Sequence, residues 1–86
     1  MDFEYDAEKN NLNQLKHYIS FEQGKKIWDD PNYALIKART IDEPRYLAIG
    51  MIDGKCWSAI FTIREEKIRI ISVRRARPEE VDIYES

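Results

Sequence analysis

An 86-residue chain with 43% hydrophobic and 35% charged residues, three Gly and three Pro has globular composition and room for one core, which excludes a disordered, fibrous or multidomain protein. A single Cys and a single His exclude an internal disulfide and a Cys/His zinc cage, so neither a metal site nor a cofactor is expected. The formal charge of −2 is unevenly spread: residues 1–8 hold four acids and no base, whereas residues 64–77 hold six bases against two acids, a local basic stripe on an acidic protein.

The opening Met1-Asp2-Phe3-Glu4-Tyr5-Asp6 is acidic where a secretory leader is basic. No apolar run approaches the ~20 residues of a membrane span, so a cytoplasmic protein with no membrane partner is expected. Phe3 and Tyr5 alternate with charged residues as a short first strand. Asp6 then stands at an N-cap position ahead of a helix over about 7–17, whose apolar series Leu12, Leu15, Ile19 is expected to face the core. Ser20 with Gln23 forms a capping box for a second helix over about 21–29, which buries Phe21, Gly24, Ile27 and Trp28 and stops at Asp29-Asp30-Pro31.

Beyond Pro31 the pattern turns to β-branched and aromatic alternation, with strands near 34–39, 45–52, 55–64 and 67–74. Asp53-Gly54 favours a type I′ hairpin, and Glu65-Glu66 closes the next one with poorer turn residues. Pro78, followed by Glu79 and Glu80 against the helix dipole, opens a short helix to about Tyr84. The order defines a single α+β domain over residues 1–86: a short N-terminal strand, two helices, an antiparallel sheet meander and a short C-terminal helix, with helices on one sheet face.

Two-residue turns pair Ile52 with Lys55 and Arg64 with Lys67, and period-2 alternation propagates that register. Trp57, Ala59, Phe61, Ile63, Ile68 and Ile70 then share the face expected to be helix-covered. Arg45, Thr62 and Arg69 form a row on the opposite face, with Arg64 and Lys67 at its end and Arg75 further along; a slip of one residue would dismantle the row.

Arginine binds phosphate oxygens bidentately and stays charged. Arg45, Arg64, Arg69, Arg74 and Arg75 are therefore candidates for gripping a phosphodiester, and a solvated, ion-paired face accounts for the same residues equally well. Metal-free RNA cleavage needs a base for the ribose 2′-hydroxyl, cations for the charge building on phosphorus, and an acid for the leaving 5′-oxygen. His17 is the one side chain with an ordinary pKa near neutrality. It falls at the end of the first helix, where the dipole favours its protonated form and where Lys16-His17 can serve simply as a helix-end charge pair. Lys16, Glu22 and Tyr46 are the candidates for the second proton transfer. Tyr46, Trp57 and Phe61 fit base stacking and fit the core, with the core reading preferred from their alternation.

Three stretches also resemble a known family. Phe3-Glu4-Tyr5-Asp6 with Glu8-Lys9-Asn10, Lys16-His17-Tyr18-Ile19-Ser20-Phe21, and Ile68-Arg69-Ile70-Ile71-Ser72-Val73-Arg74-Arg75-Ala76 are similar, in the same order, to blocks of the BrnT toxins of type II toxin-antitoxin systems. The resemblance implies a RelE-like fold and an endoribonuclease that needs no metal and arrests translation. It also implies a BrnA-type antitoxin as partner, RNA, free or ribosome-associated, as substrate, and contact with DNA only through the antitoxin. Carried onto this chain, it places Lys16, His17, Arg64, Arg69 and Arg75 in catalysis and Arg45, Lys67 and Arg74 in substrate binding.

One position departs from the family pattern. Tyr18 stands where the family has glycine after the His, at a helix end that calls for a left-handed residue; keeping that conformation costs a tyrosine about 1 kcal/mol. A different turn there would re-aim His17. The alternative function is accordingly an antitoxin-binding module of the same fold with weak or no nuclease activity.

Overall fold

The structure, a computed structural model, describes residues 2–39 and 42–86. Strand β1 (Phe3–Glu4) leads into helix α1 (Ala7–His17), α2 (Phe21–Gly24) and a 3₁₀ segment (Lys25–Asp29), followed by β2 (Ala34–Ala38), β3 (Arg45–Ile52), β4 (Lys55–Arg64), β5 (Lys67–Arg75) and helix α3 (Pro78–Glu85). The strands make one sheet in the order β1-β5-β4-β3-β2. Strands β2 to β5 pair antiparallel, but β1 joins β5 in parallel, so the sheet is mixed and not the simple antiparallel meander expected. Alternation assigns faces to β1; its partner is set by the Ile68 N–H, which donates to the Asp2 carbonyl at 2.9 Å.

Local chemistry fixes the element ends. Asp6 accepts from the backbone N–H groups of Glu8 and Lys9 at 2.8 and 3.1 Å, and Ser20 and Gln23 exchange the two bonds of a capping box. The second helix tightens to 3₁₀ after Gly24. Asp30 precedes Pro31 and is extended, with φ −73° and ψ 118°, as a pre-proline residue prefers. Its carboxylate then ties the region together, accepting from Asn32 N, Met51 N and the Tyr84 hydroxyl. Gly24 permits close contact with the sheet: a Cβ there would lie 2.7 Å from Val73 Cγ2.

The main core lies between the sheet and α2 with its 3₁₀ extension, joining Ile19, Phe21 and Ile27 to Ala48, Ala59, Phe61, Ile68, Ile70 and Val73. Phe3, Trp28, Phe61 and Tyr46 continue it as a chain of ring contacts with centroids 5.0 to 5.5 Å apart. Tyr46 and Phe61 thus serve packing, and Ile63, expected in the core, is exposed at the hairpin end. On the opposite face α3 packs against β3, and Leu47, Ile49, Ser58 and Thr62 are buried.

Helix α1 departs from its apolar pattern. Leu12 and Leu15 are 62% and 76% exposed, and the residue the helix buries is Asn13, 6% exposed. The cause is the strand edge beneath it. Because β1 covers only Ile68 and Arg69 of β5, the backbone at Val73 lacks a strand partner on that side. The Asn13 amide supplies one, with Nδ2 donating to the Val73 and Ile19 carbonyls at 3.0 and 2.9 Å and Oδ1 accepting from Val73 N at 3.1 Å. A leucine inserted there would leave these groups unpaired.

Both hairpins have two-residue turns with positive φ, at Asp53 (49°) and Gly54 (80°) and at Glu65 (49°) and Glu66 (68°), the backbone signs of type I′. The expected register holds from Tyr46–Phe61 to Ile52–Lys55 and from Phe61–Ile70 to Arg64–Lys67. It then shifts between Ile60 and Phe61, so that Ile60 pairs with Ser72 and Trp57 with Arg75. The extra residue in β5 is Ile71, a bulge that reverses the facing of everything after it.

Candidate active-site groove

The bulge divides the arginines. Arg69 remains beside Thr62 in the register, and Arg64 and Lys67 close the same hairpin. Arg45 is exposed one residue before Tyr46, whose ring stacks on Phe61 in the core, and so belongs to the row. Arg75 does not. It was expected to lie further along that row, but past Ile71 it pairs with Trp57, its guanidinium 5.4 Å from the indole centroid on the helix-covered face. Arg74 takes the opposite face, where it meets Glu80 in a two-pronged ion pair at 2.7 and 2.8 Å.

Several of these cations are already engaged. Arg69 Nη1 donates to Glu4 at 2.9 Å, and the exposed Arg64 reaches Glu43 at 3.4 Å. Arg74 is mostly buried with Glu80, whose carboxylate also accepts from Ser58 Oγ and Arg77 N. The Arg74 guanidinium, aided by these two donors, holds Glu80 down to about 2 against the opposing effect of burial. That pair locks α3 onto the sheet and fixes a positive charge at the far end of β5.

A shallow groove of about 200 Å³ runs between α1 and β5, with Lys9, Leu12, Lys16 and His17 on the helix side and Ile71 and Ser72 on the strand side. Its floor is the Asn13 amide and the bulge. Asp6, the N-cap of α1, is held below the ordinary carboxylate value chiefly by the backbone N–H groups of Lys9 and Glu8, with smaller contributions from the charges of Lys9 and Arg69. In the groove wall His17 is shifted below its ordinary value, first by burial and then by the charges of Lys16 and Arg74. The shift runs against the one expected from the helix dipole and favours the neutral imidazole, the form that accepts a proton. Among the described residues Lys9 and Lys16 have no ion-pair partner.

The Tyr18 turn is left-handed after all, with φ 59° and ψ 32°, and its N–H donates to the Gln14 carbonyl as a helix cap should. The tyrosine thus keeps the left-handed helix end that a glycine would adopt freely. Of the residues anticipated for the site, the structure brings Lys16 and His17 into one groove, with the charge of Arg74 acting on His17 from its pair with Glu80. Arg69 flanks the groove, Arg45, Arg64 and Lys67 lie toward the second hairpin, and Arg75 is on the other face. Lys9 was overlooked although it stands seven residues before Lys16 on the same helix face; Ser72 enters the groove through the bulge, which leaves no mark in the sequence.

These features define a class: a small α+β domain with two lysines and the chain's one imidazole along a groove at a sheet edge. The comparisons narrow it. Residues 5–80 match the family model described as ribonuclease toxin, BrnT, of type II toxin-antitoxin system, and the chain belongs to that family. Among curated proteins no relative matches the chain. Toxins of this type act with an antitoxin partner, and among the described residues no helix is long and apolar enough to cross a membrane. Among those residues also, no three His, Cys, Asp or Glu side chains converge as a metal-ligand group.

Proposed function

We propose that the protein is a RelE-like endoribonuclease toxin of the cytoplasm that cuts RNA without a metal ion and so arrests translation, with the scissile phosphodiester in the α1–β5 groove. The observation that carries this reading is the placement of the only imidazole, depressed toward its neutral form, in a groove shared with Lys9 and Lys16. His17 accepts the 2′-hydroxyl proton, the 2′-oxygen attacks phosphorus to form a 2′,3′-cyclic phosphate, and the 5′-oxygen leaves with a proton from the Lys16 ammonium. Lys9 and Arg69 bind the phosphate oxygens and offset the charge that develops there, while Arg74 biases His17 toward neutrality. Arg45, Arg64 and Lys67 extend the positive track for neighbouring phosphates.

The test is incubation of antitoxin-free protein with labelled RNA in EDTA, with and without ribosomes. Wild type cleaves, and His17→Ala and Arg69→Ala each lose at least 100-fold, the scale of a proton-transfer or charge-stabilising group (~10²-fold or more). Unchanged cleavage by His17→Ala rejects the groove as the active site.

Neutralisation follows from the same geometry. Exposed Leu12 and Leu15, flanked by Lys9 and Lys16, suit an acidic amphipathic segment of a BrnA-type antitoxin laid along α1 over the groove. DNA is reached only through that antitoxin. A Leu15→Glu toxin is expected to cleave RNA normally and to resist its co-expressed antitoxin; full neutralisation of this variant would move the antitoxin elsewhere.

A further inference from the structure

Beyond His17 the chain turns through Tyr18 into a second cavity of about 200 Å³ near the helix-covered face, whose wall includes Tyr18, Gln23, Lys26, Lys55 and Trp57. Two side chains of this wall offer more aromatic surface than their folding roles, the cap of α1 by the Tyr18 backbone and the core margin at Trp57, require. Tyr18 is 88% exposed while holding a left-handed backbone, φ 59°, that glycine adopts freely and tyrosine does not. A strained aromatic facing water adds nothing to the core, and such strain gathers at functional positions. Trp57 is only partly buried at the core's margin, with the Arg75 guanidinium packed at 5.4 Å on its ring.

The charge around the cavity is cationic apart from Asp53. Lys26 and Lys55 are exposed and, among the described residues, without ion-pair partners, and Arg75 adds a third cation beside Trp57. The volume falls short of the roughly 300 Å³ at which drug-sized ligands are accommodated and suits one planar ring system. Aromatic walls with interleaved cations are the composition of sites that stack single-stranded bases.

We propose that this cavity is a nucleobase slot: one base of an RNA strand, adjacent to the phosphodiester at His17, stacks between Tyr18 and Trp57 while Lys26, Lys55 and Arg75 hold the flanking phosphates. The proposal rests on the reading of the groove as an RNA site. It also gives Arg75 a function on the face where the bulge puts it, in positioning Trp57 and binding phosphate.

The test uses the full chain and a dye-labelled 2′-O-methyl oligoribonucleotide, which binds as RNA does but lacks the hydroxyl that cleavage needs. Tyr18→Gly relaxes the turn, so the variant folds at least as stably as wild type; its affinity by fluorescence anisotropy is expected to fall roughly 5- to 100-fold, the loss of one stacked base. Tyr18→Phe keeps the ring and is expected to bind as wild type does. An oligonucleotide with abasic sites throughout is expected to bind weakly and equally to wild type and Tyr18→Gly. Affinity of Tyr18→Gly within twofold of wild type, or abasic binding as tight as that of the base-bearing strand, overturns the slot. Cleavage of unmodified RNA is measured in parallel: binding that depends on Tyr18 without any cleavage rejects the ribonuclease reading and leaves the slot standing, whereas cleavage with an unaltered KM in Tyr18→Gly rejects the slot alone.

Discussion

Replacing Asn13 by leucine is what the apolar periodicity of α1 invites, and the structure says that it will damage the protein. The change deletes three hydrogen bonds to backbone, at the Ile19 carbonyl and at both polar groups of Val73. A buried polar group left unpaired costs about 1–3 kcal/mol. With three such groups left unpaired, a net loss of about 3 kcal/mol is expected at the lower end of that range, reduced by any gain from the larger apolar side chain. A domain of this length has a total stability of roughly 4–13 kcal/mol, and the corresponding fall in Tm is roughly 12–24 °C. Urea denaturation followed by circular dichroism measures it, with an unchanged m value if only the native state is affected. Asn13→Asp extends the test, because it keeps an acceptor for Val73 N but sets a carboxylate against two carbonyls, so it is expected to be worse at neutral pH than in acid. A leucine variant as stable as wild type would mean that α1 does not complete the edge of β5 through this amide.

Other consequences are equally open to measurement. Lys16→Gln removes one of the charges that lower His17, so the His17 titration followed by NMR is expected to move upward; no movement would place Lys16 too far away to act. His17 binds protons less readily folded than unfolded, so the unfolded state takes up more protons as the pH drops below about 6.5 and stability falls over that range; His17→Gln is expected to abolish that component. Glu80 shifts in the other sense. Its stabilisation is present above about 4.5 and is lost as the pH falls toward 2, and at neutral pH Glu80→Gln is expected to cost about 3 kcal/mol by urea denaturation. Glu65→Asn with Glu66→Gly places preferred residues at the two positive-φ positions and is expected to raise stability by about 1 kcal/mol; a loss would indicate that the glutamates make contacts that the turn requires.

Much of this architecture was legible in the sequence because its signals are local. Asp6, the Ser20–Gln23 box, Pro31 and Pro78 mark helix ends through bonds within a few residues, and Asp53-Gly54 sets the first hairpin through its own torsions. What the sequence conceals depends on contacts distant along the chain. The partner of β1 lies 65 residues away, at Ile68 and Arg69, and alternation carries no information about it. The bulge at Ile71 adds one residue without a glycine or proline to announce it, and that single residue exchanges the faces that Arg74 and Arg75 would otherwise take. Asn13 was hidden for a related reason: a polar residue on the inward side of a helix reads as a flaw in amphipathicity until the unpaired strand edge beneath it is seen. The cationic stripe was thus visible in composition, whereas its division into a groove and a second cavity required the coordinates.

The most direct trial of the groove is the pH dependence of single-turnover RNA cleavage in EDTA, set beside the NMR titration of His17 in the same protein. A general base must lose its proton before it can act, so the rate is expected to climb with pH through the same pKa that the imidazole displays, below its ordinary value; Lys16→Gln, which also removes the proposed acid, is expected to lower the rate ~10²-fold or more while shifting both curves upward together. A rate profile that ignores the His17 titration, or that keeps its ascending limb in His17→Ala, would contradict the account.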